Sequence, residues 1–159
     1  MTAAVDVRPL RPLDGPACDA IVASLPYHFG AEEGRDRCAV AVRREDGLAA
    51  LTGGEIAGFL TWRPWYRASR EITWMAVHAN RRGAGVGGAL LEHLAAQSAK
   101  QARYLVVTTL SEATPEPGVA DGYARTRRFY ESNGFEPVWD PAGWWNEANQ
   151  AVVMVRHLG

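Results

Sequence analysis

A glycine-rich segment in the middle of the chain has the composition of a phosphate-binding turn. Four of the six residues from 83 to 88 are glycine, and Arg81 and Arg82 precede them. Glycines without a Cβ let several backbone N–H groups point into one concavity, and a helix N-terminus adds about half a positive charge there. The two arginines would add full charges, so the segment predicts a pyrophosphate site. The alternative is a helix start whose glycines serve only packing.

Two kinds of pyrophosphate ligand fit this glycine spacing. Gly83, Gly85 and Gly88 match G-x-G-x-x-G, the dinucleotide fingerprint, and Glu112 lies near the expected position of a ribose-binding acid. In that fingerprint, however, the first glycine follows the strand closely, whereas residues 78–82 intervene here. Only about 70 residues follow the turn, too few for a second mononucleotide half and a substrate domain. A dinucleotide is therefore the less favoured ligand, but it stays open.

The chain also resembles a known family at two separate motifs. Arg82-x-x-Gly85-x-Gly87, which opens a predicted helix after a strand, resembles the acyl-CoA pyrophosphate motif of the GNAT N-acetyltransferase superfamily. The sequence RRFYESNGF, residues 127–135, resembles that family's R-x-F-Y-E-x-x-G-F segment, although Tyr123 stands where many members carry an asparagine. The resemblance implies acetyl-CoA as co-substrate. The cofactor-binding residues it implies are Met75, Ala76, Val77, Arg82, Gly83, Ala84, Gly85, Val86, Gly87 and Gly88.

The same resemblance implies acetyl transfer to a primary amine by direct attack in a ternary complex. That reaction needs a deprotonated amine, a stabilised oxyanion and a protonated leaving thiolate. Glu71 would be the base, directly or through water, the backbone N–H of Val77 would hold the thioester oxygen, and Tyr130 would protonate the sulfur. A solvent-exposed strand-edge Glu71 and a merely packing Tyr130 are the structural alternatives. They correspond to a non-catalytic acyl-CoA- or dinucleotide-binding module.

Aromatic residues suggest where the acceptor binds. In the family fold, Tyr27 and Phe29 after the first helix, and Trp144 and Trp145 before the last strand, would face the acceptor. Aromatic rings offer apolar contact area and attract cations. We therefore expect a small amine with an apolar or aromatic body. The alternative is that these rings only close the edge of the core.

The elements that position these residues are predicted from hydrophobic periodicity. The pattern predicts the order β-α-α-β-β-β-α-β-α-β-β, with helices over 86–101 and over 122–133, the latter ending at Gly134. Residues 31–44 fit a helix or a strand, and their acidic start and basic end favour a helix. Asp14 is a candidate cap of the first helix. The predicted class is α/β, which the resemblance specifies as a mixed, mostly antiparallel sheet with helices on both faces and a strand splay at the cofactor site.

Length and composition limit the class of protein. The 159 residues, 47% of them hydrophobic, indicate one domain over residues 1–159, and the net charge of −1 argues against a nucleic-acid partner. No apolar run reaches the roughly 20 residues of a membrane span. Cys18 and Cys38 are far apart, which favours buried thiols over a disulfide, and the histidine spacing predicts no metal site. We expect a cytoplasmic enzyme with a small-molecule acceptor and no membrane partner, and whether it forms a homodimer is left open.

Overall fold

The computed structural model describes residues 4–26, 28–29, 32–111, 119–145 and 150–159. In these ranges the elements follow the predicted order, and the segment that fitted either a helix or a strand is a helix. The helices are α1 (Gly15–Ala23), α2 (Glu32–Arg44), α3 (Val86–Ser98) and α4 (Val119–Ser132). The strands are β1 (Val5–Pro9), β2 (Asp46–Thr52), β3 (Glu55–Tyr66), β4 (Ser69–Val77), β5 (Tyr104–Leu110), β6 (Glu136–Trp139) and β7 (Ala151–His157).

The chain groups into two compact units, which are described separately. The first unit comprises Met1–Arg63 and Ile72–Gln97, and the second comprises Pro64–Glu71 and Ser98–Gly159. The strand pairs β1–β2, β2–β3, β5–β7 and β6–β7 are all antiparallel. The prediction of a mixed α/β fold with mostly antiparallel strands is confirmed.

In the first unit, helices cover both faces of the strands β1, β2, β3 and β4, which lie side by side in that order. Ile21 of α1 and Val42 of α2 pack in one buried cluster with Phe59 of β3. Successive strand residues face opposite sides, and a Cβ on the preceding Gly58 would lie 2.8 Å from Cγ1 of Val86 in α3. Helices α1 and α2 therefore cover one face, and the start of α3 approaches the other face so closely that only glycine fits.

The start of α1 differs from the prediction. Asp14 occupies the N-cap position, but its carboxylate makes no cap hydrogen bond. It accepts two hydrogen bonds from the Arg8 guanidinium, at 2.8 and 2.9 Å, and one from the Arg11 backbone N–H at 2.8 Å. A bidentate charged partner holds a carboxylate more strongly than a backbone N–H does, and β1 places Arg8 within reach. The hydrogen bond from Arg8 lowers the pKa of Asp14.

In the second unit, β7 lies between β5 and β6. Gly134 has a φ of 85° at the end of α4, as the predicted C-cap requires. The Phe135 N–H donates to the Tyr130 carbonyl at 3.0 Å, and the Gly134 N–H donates to the Glu131 carbonyl at 3.1 Å. These two bonds form a Schellman motif, whose usual apolar contact is the ring pair of Tyr130 and Phe135, 5.4 Å apart.

The two cysteines are free and buried, as predicted. Burial raises the pKa of each thiol to about 12. The reactive form of cysteine is the thiolate, so both side chains act as small apolar groups in the core.

Candidate active site

The end of β4 presents backbone groups on the side opposite β3. The His78 N–H donates to the Ala57 carbonyl of β3 at 2.8 Å. Because backbone groups alternate sides along a strand, the N–H and C=O of Val77 and Met75 point away from β3. The Ala76 side chain between them is buried in the core cluster. An extended ligand that carries amide groups would pair with backbone groups of this kind.

The turn that connects β4 to α3, residues 78–85, contains a 3-10 helix over Ala79–Arg81 and two glycines with left-handed backbone. Gly83 and Gly85 have φ values of 79° and 80°. No described atom lies within 4 Å of a Cβ added at either position, so the backbone angle and not space requires glycine. Helix α3 then begins at Val86 with no acidic residue in its first turn. The first N–H groups of a helix have no acceptor within it, so this end of α3 attracts an anion.

The two arginines of the turn have different roles. Arg81 donates to the Thr52 hydroxyl at 2.9 Å and lies 3.4 Å from the Glu55 carboxylate, so the β2–β3 hairpin holds its guanidinium. The prediction that both arginines serve the turn is therefore wrong for Arg81, because Thr52 and Glu55, distant in sequence, bind it. Arg82 is exposed. The pKa of the His28 imidazole is lowered mainly by burial and, to a smaller extent, by the positive charge of Arg82. Arg82 directly precedes Gly83 in the turn.

The segment that follows α1 lies against this turn. The Ser24 hydroxyl accepts a hydrogen bond from the Ala79 N–H at 3.1 Å. Five residues later, the Phe29 ring lies 6.0 Å from the Trp74 ring of β4. Between these contacts lies the half-buried His28. The sequence pattern does not single out Ser24 or His28, because the partners of both lie some fifty residues away.

Glu71 lies near the start of β4, six residues before Val77. Six residues of extended strand span about 20 Å, and the four residues to Met75 span about 13 Å. Glu71 therefore lies well before the last residue of the strand.

Tyr130 lies in the second unit, on the last turn of α4, with 6% of its surface exposed. Its ring makes edge contacts with Phe129 at 5.3 Å and Phe135 at 5.4 Å. Burial, with a smaller contribution from Tyr123, raises the pKa of the Tyr130 hydroxyl. The hydroxyl is therefore protonated throughout the physiological pH range, and the aromatic contacts fix the ring.

The predicted acceptor residues differ in how deeply they are buried. Phe29 belongs to the buried core of the first unit, with 9% of its surface exposed. Trp144 and Trp145 in the second unit are each 45% exposed, and the Trp144 ring lies 5.2 Å from that of Trp139. Tyr27 lies outside the described residues, as does Glu112.

The described residues contain no group of three or more His, Cys, Asp or Glu side chains that could hold a metal ion. No helix in this part of the chain combines the length and the apolar character needed to cross a bilayer.

Comparison with protein families identifies the fold. A model of the acetyltransferase (GNAT) domain matches residues 35–137, more than half of the chain. The chain belongs to the GNAT acetyltransferase family. The match includes β4, the glycine turn and Tyr130, so both motifs that carry the resemblance lie within the GNAT domain. Comparison with curated proteins gives no match.

Solved GNAT structures share the fold at low sequence identity. A protein assigned to the GNAT family from Desulfovibrio desulfuricans is 22% identical, with a TM-score of 0.83, and the match covers 98% of this chain and 100% of that one. The ribosomal-protein-S18-alanine N-acetyltransferase of Escherichia coli is 18% identical, with a TM-score of 0.72 and coverage of 98% and 95%. An aminoglycoside 6'-N-acetyltransferase in complex with coenzyme A is 18% identical, with a TM-score of 0.66 and coverage of 89% and 90%.

Proposed function

We propose that this GNAT chain transfers the acetyl group of acetyl-CoA to a primary amine of a small molecule, by direct attack in a ternary complex. The observation that carries the proposal is the turn after β4. Two left-handed glycines, Gly83 and Gly85, lead into an α3 N-terminus without acidic residues, and Arg82 lies beside it. This arrangement suits a pyrophosphate, and one similar structure holds coenzyme A.

The backbone of the turn and of β4 would hold the two parts of the donor. The N–H groups of Gly85, Val86, Gly87 and Gly88, together with Arg82, would bind the pyrophosphate, while Gly83 and Ala84 shape the turn. The groups of Met75 and Val77 that point away from β3 would pair with the pantetheine amides, with Ala76 anchoring the strand in the core.

Three groups of this chain would perform the transfer. Glu71, directly or through water, accepts the proton that the ammonium must lose before its nitrogen attacks the carbonyl carbon. A backbone N–H at the end of β4 stabilises the oxyanion. We assign this donor to Val77. Tyr130 donates its proton to the sulfur as the C–S bond breaks, and regains one from solvent.

Support for the acceptor class comes from exposed rings. Trp144 and Trp145 are nearly half exposed and suit an amine with an apolar or aromatic body. The burial of Phe29 supports the alternative that this ring only closes the edge of the core. Two similar structures bear the names of enzymes that act on a ribosomal protein and on aminoglycosides. The fold therefore does not decide the acceptor, and the rings carry this part of the proposal.

Ligand-induced thermal shifts and free-thiol release test the function in sequence. Acetyl-CoA and CoA should raise the melting temperature by binding the native state, whereas NAD should not. A shift with NAD alone would overturn the donor assignment. Thiol release with a panel of small aromatic, aliphatic and polycationic amines then identifies the acceptor. Binding of acetyl-CoA without turnover on any amine would favour the non-catalytic acyl-CoA-binding module.

A further inference from the structure

The β3–β4 hairpin carries exposed aromatic rings at its end, in the second unit. Strand β3 continues to Tyr66 and β4 begins at Ser69, so only Arg67 and Ala68 form the turn. Trp65 is 43% exposed and Tyr66 is 71% exposed. The Arg67 guanidinium carbon lies 5.8 Å from the centre of the Tyr66 ring. Both rings therefore present apolar surface to solvent.

The connection between α3 and β5 is fixed against this hairpin. The Ala68 carbonyl accepts hydrogen bonds from the N–H groups of Arg103 at 2.7 Å and Tyr104 at 3.1 Å. The Arg70 guanidinium donates to the Ser98 hydroxyl at 2.9 Å and to the Gln101 side-chain oxygen. Four hydrogen bonds thus join two segments that are about thirty residues apart in sequence, and the surface they form is ordered before any ligand binds.

The surface has one sign of charge. Residues 64–70 and 98–104 contain three arginines and one lysine but no aspartate or glutamate. Arg67, Lys100 and Arg103 are exposed, and none has an ion pair with any described residue. A third ring belongs to Tyr104, which follows Arg103, is 38% exposed and lies 5.3 Å from the His157 ring at a tilt of 50°. We call Trp65, Tyr66, Arg67, Lys100, Arg103 and Tyr104 the hairpin patch.

We propose that the hairpin patch binds single-stranded nucleic acid. Its cations match the phosphates of a polyanion, and its exposed rings offer faces on which unpaired bases stack. An acidic peptide would use the cations but leave the rings without planar partners, and the bases of a duplex are already stacked on each other. The net charge of −1 for the whole chain describes an average and does not describe this surface. The proposal uses no residue of the proposed acetyl-transfer site.

Fluorescence anisotropy with labelled 12-nucleotide U and dT strands tests the proposal on the intact chain. Three phosphate contacts predict a slope of about −2 in a plot of log affinity against log salt. Arg67→Glu/Lys100→Glu should weaken binding at least tenfold and flatten this slope, whereas Arg44→Glu/Arg125→Glu, an equal change of charge at exposed sites elsewhere, should not. Tyr66→Ala should weaken binding roughly 5- to 100-fold by loss of stacking, whereas Trp139→Ala, an exposed ring on β6, should not.

Several outcomes would overturn the proposal. These are equal binding of a duplex or of poly-glutamate, equal loss in the control variants, or no binding at 50 mM salt. Preference for U over dT strands would identify RNA as the ligand within the proposed class. Each variant is first checked for its acetyl-CoA thermal shift, which should be unchanged. Failure of acetyl-CoA binding in the unmodified chain would count against the proposed function alone.

Discussion

The proposed cofactor site and the predicted acceptor site are built from different parts of the chain and from different chemical groups. The proposed donor site is one run of residues, 75–88, in which mainly backbone N–H groups would face the ligand and two left-handed glycines shape the turn. The acceptor residues come from two segments more than 110 positions apart, 27–29 and 144–145, and would act through side chains. The family match over 35–137 includes the first region and neither part of the second.

This difference distinguishes a site that tolerates substitutions elsewhere in the fold from a site whose ligand changes with them. A site made of backbone and glycine changes little when other side chains are replaced, so one donor-binding site can serve many relatives. A site made of side chains on connecting segments can change its ligand with a few substitutions. The similar structures named for a ribosomal protein and for aminoglycosides fit this separation. This distinction is tested by variants that each affect only one of four properties: donor binding, the chemical step, acceptor binding or stability.

Removing the Tyr130 hydroxyl should have the largest effect, and it should affect chemistry alone. Tyr130→Phe keeps the ring contacts with Phe129 and Phe135. We expect kcat to fall roughly 10²–10⁴-fold, the usual range for a general acid. The dissociation constant of acetyl-CoA should stay the same, and the free energy of unfolding should change by no more than about 1.5 kcal/mol. Unchanged turnover with an acceptor whose chemical step limits the rate would assign Tyr130 to packing.

Truncating Phe29 and Trp145 in turn tests whether both rings bind the acceptor or whether one of them only stabilises the core. Phe29→Ala removes a buried ring that contacts Trp74 and should cost about 3–5 kcal/mol in the free energy of unfolding. Trp145→Ala should cost under about 1 kcal/mol because the side chain is nearly half exposed, and it should raise the acceptor KM several-fold. Urea unfolding and steady-state kinetics measure the two effects. An unchanged acceptor KM in Trp145→Ala would remove the ring from the acceptor site.

The element order and the glycine turn could be predicted because both depend on neighbours in sequence. Hydrophobic spacing, the charged ends of α2 and the Gly134 cap each act within a few residues. The end of β3 could not be predicted from the apolar pattern. That pattern ends at Trp62, whereas the strand continues to Tyr66, where pairing within the hairpin and not burial in the core maintains it.

The errors and omissions concern partners distant in sequence. Arg81 binds Thr52 and Glu55 of another hairpin, and Asp14 pairs with Arg8 of β1. The close approach of Gly58 to Val86 depends on the packing of α3. No local pattern predicts these contacts, although an isolated glycine inside a strand is a recognised sign of a close approach.

A single methyl group in the turn should weaken donor binding by an intermediate amount. In Gly85→Ala the Cβ meets no described atom, so its effect comes from the φ of 80°. Holding that conformation without glycine costs about 1–3 kcal/mol, which predicts roughly 5- to 100-fold weaker acetyl-CoA binding with an unchanged acceptor KM. Gly143→Ala is the matched control, since its φ is 67° and its Cβ would also meet no described atom. Equal loss of acetyl-CoA affinity in both variants would show that the effect is not specific to the turn.

The ion pair of Asp14 should give the smallest effect, on stability alone, and so provides a reference for the other variants. The pKa of Asp14 is lowered in the folded state, so its contribution is present above the unfolded value near 3.9 and is lost as pH falls through the folded value. Asp14→Asn should therefore reduce the free energy of unfolding by about 1–2 kcal/mol at pH 7 and by much less near pH 2. Asp19→Asn is the control: its ion pair with Arg43 is more exposed and should contribute under about 0.5 kcal/mol. Urea unfolding at both pH values measures the differences, and an Asp14→Asn deficit that persists at pH 2 would mean that packing and not charge accounts for it. Neither variant should alter the acetyl-CoA dissociation constant or the acceptor KM, because both carboxylates lie outside the residues assigned to the two sites.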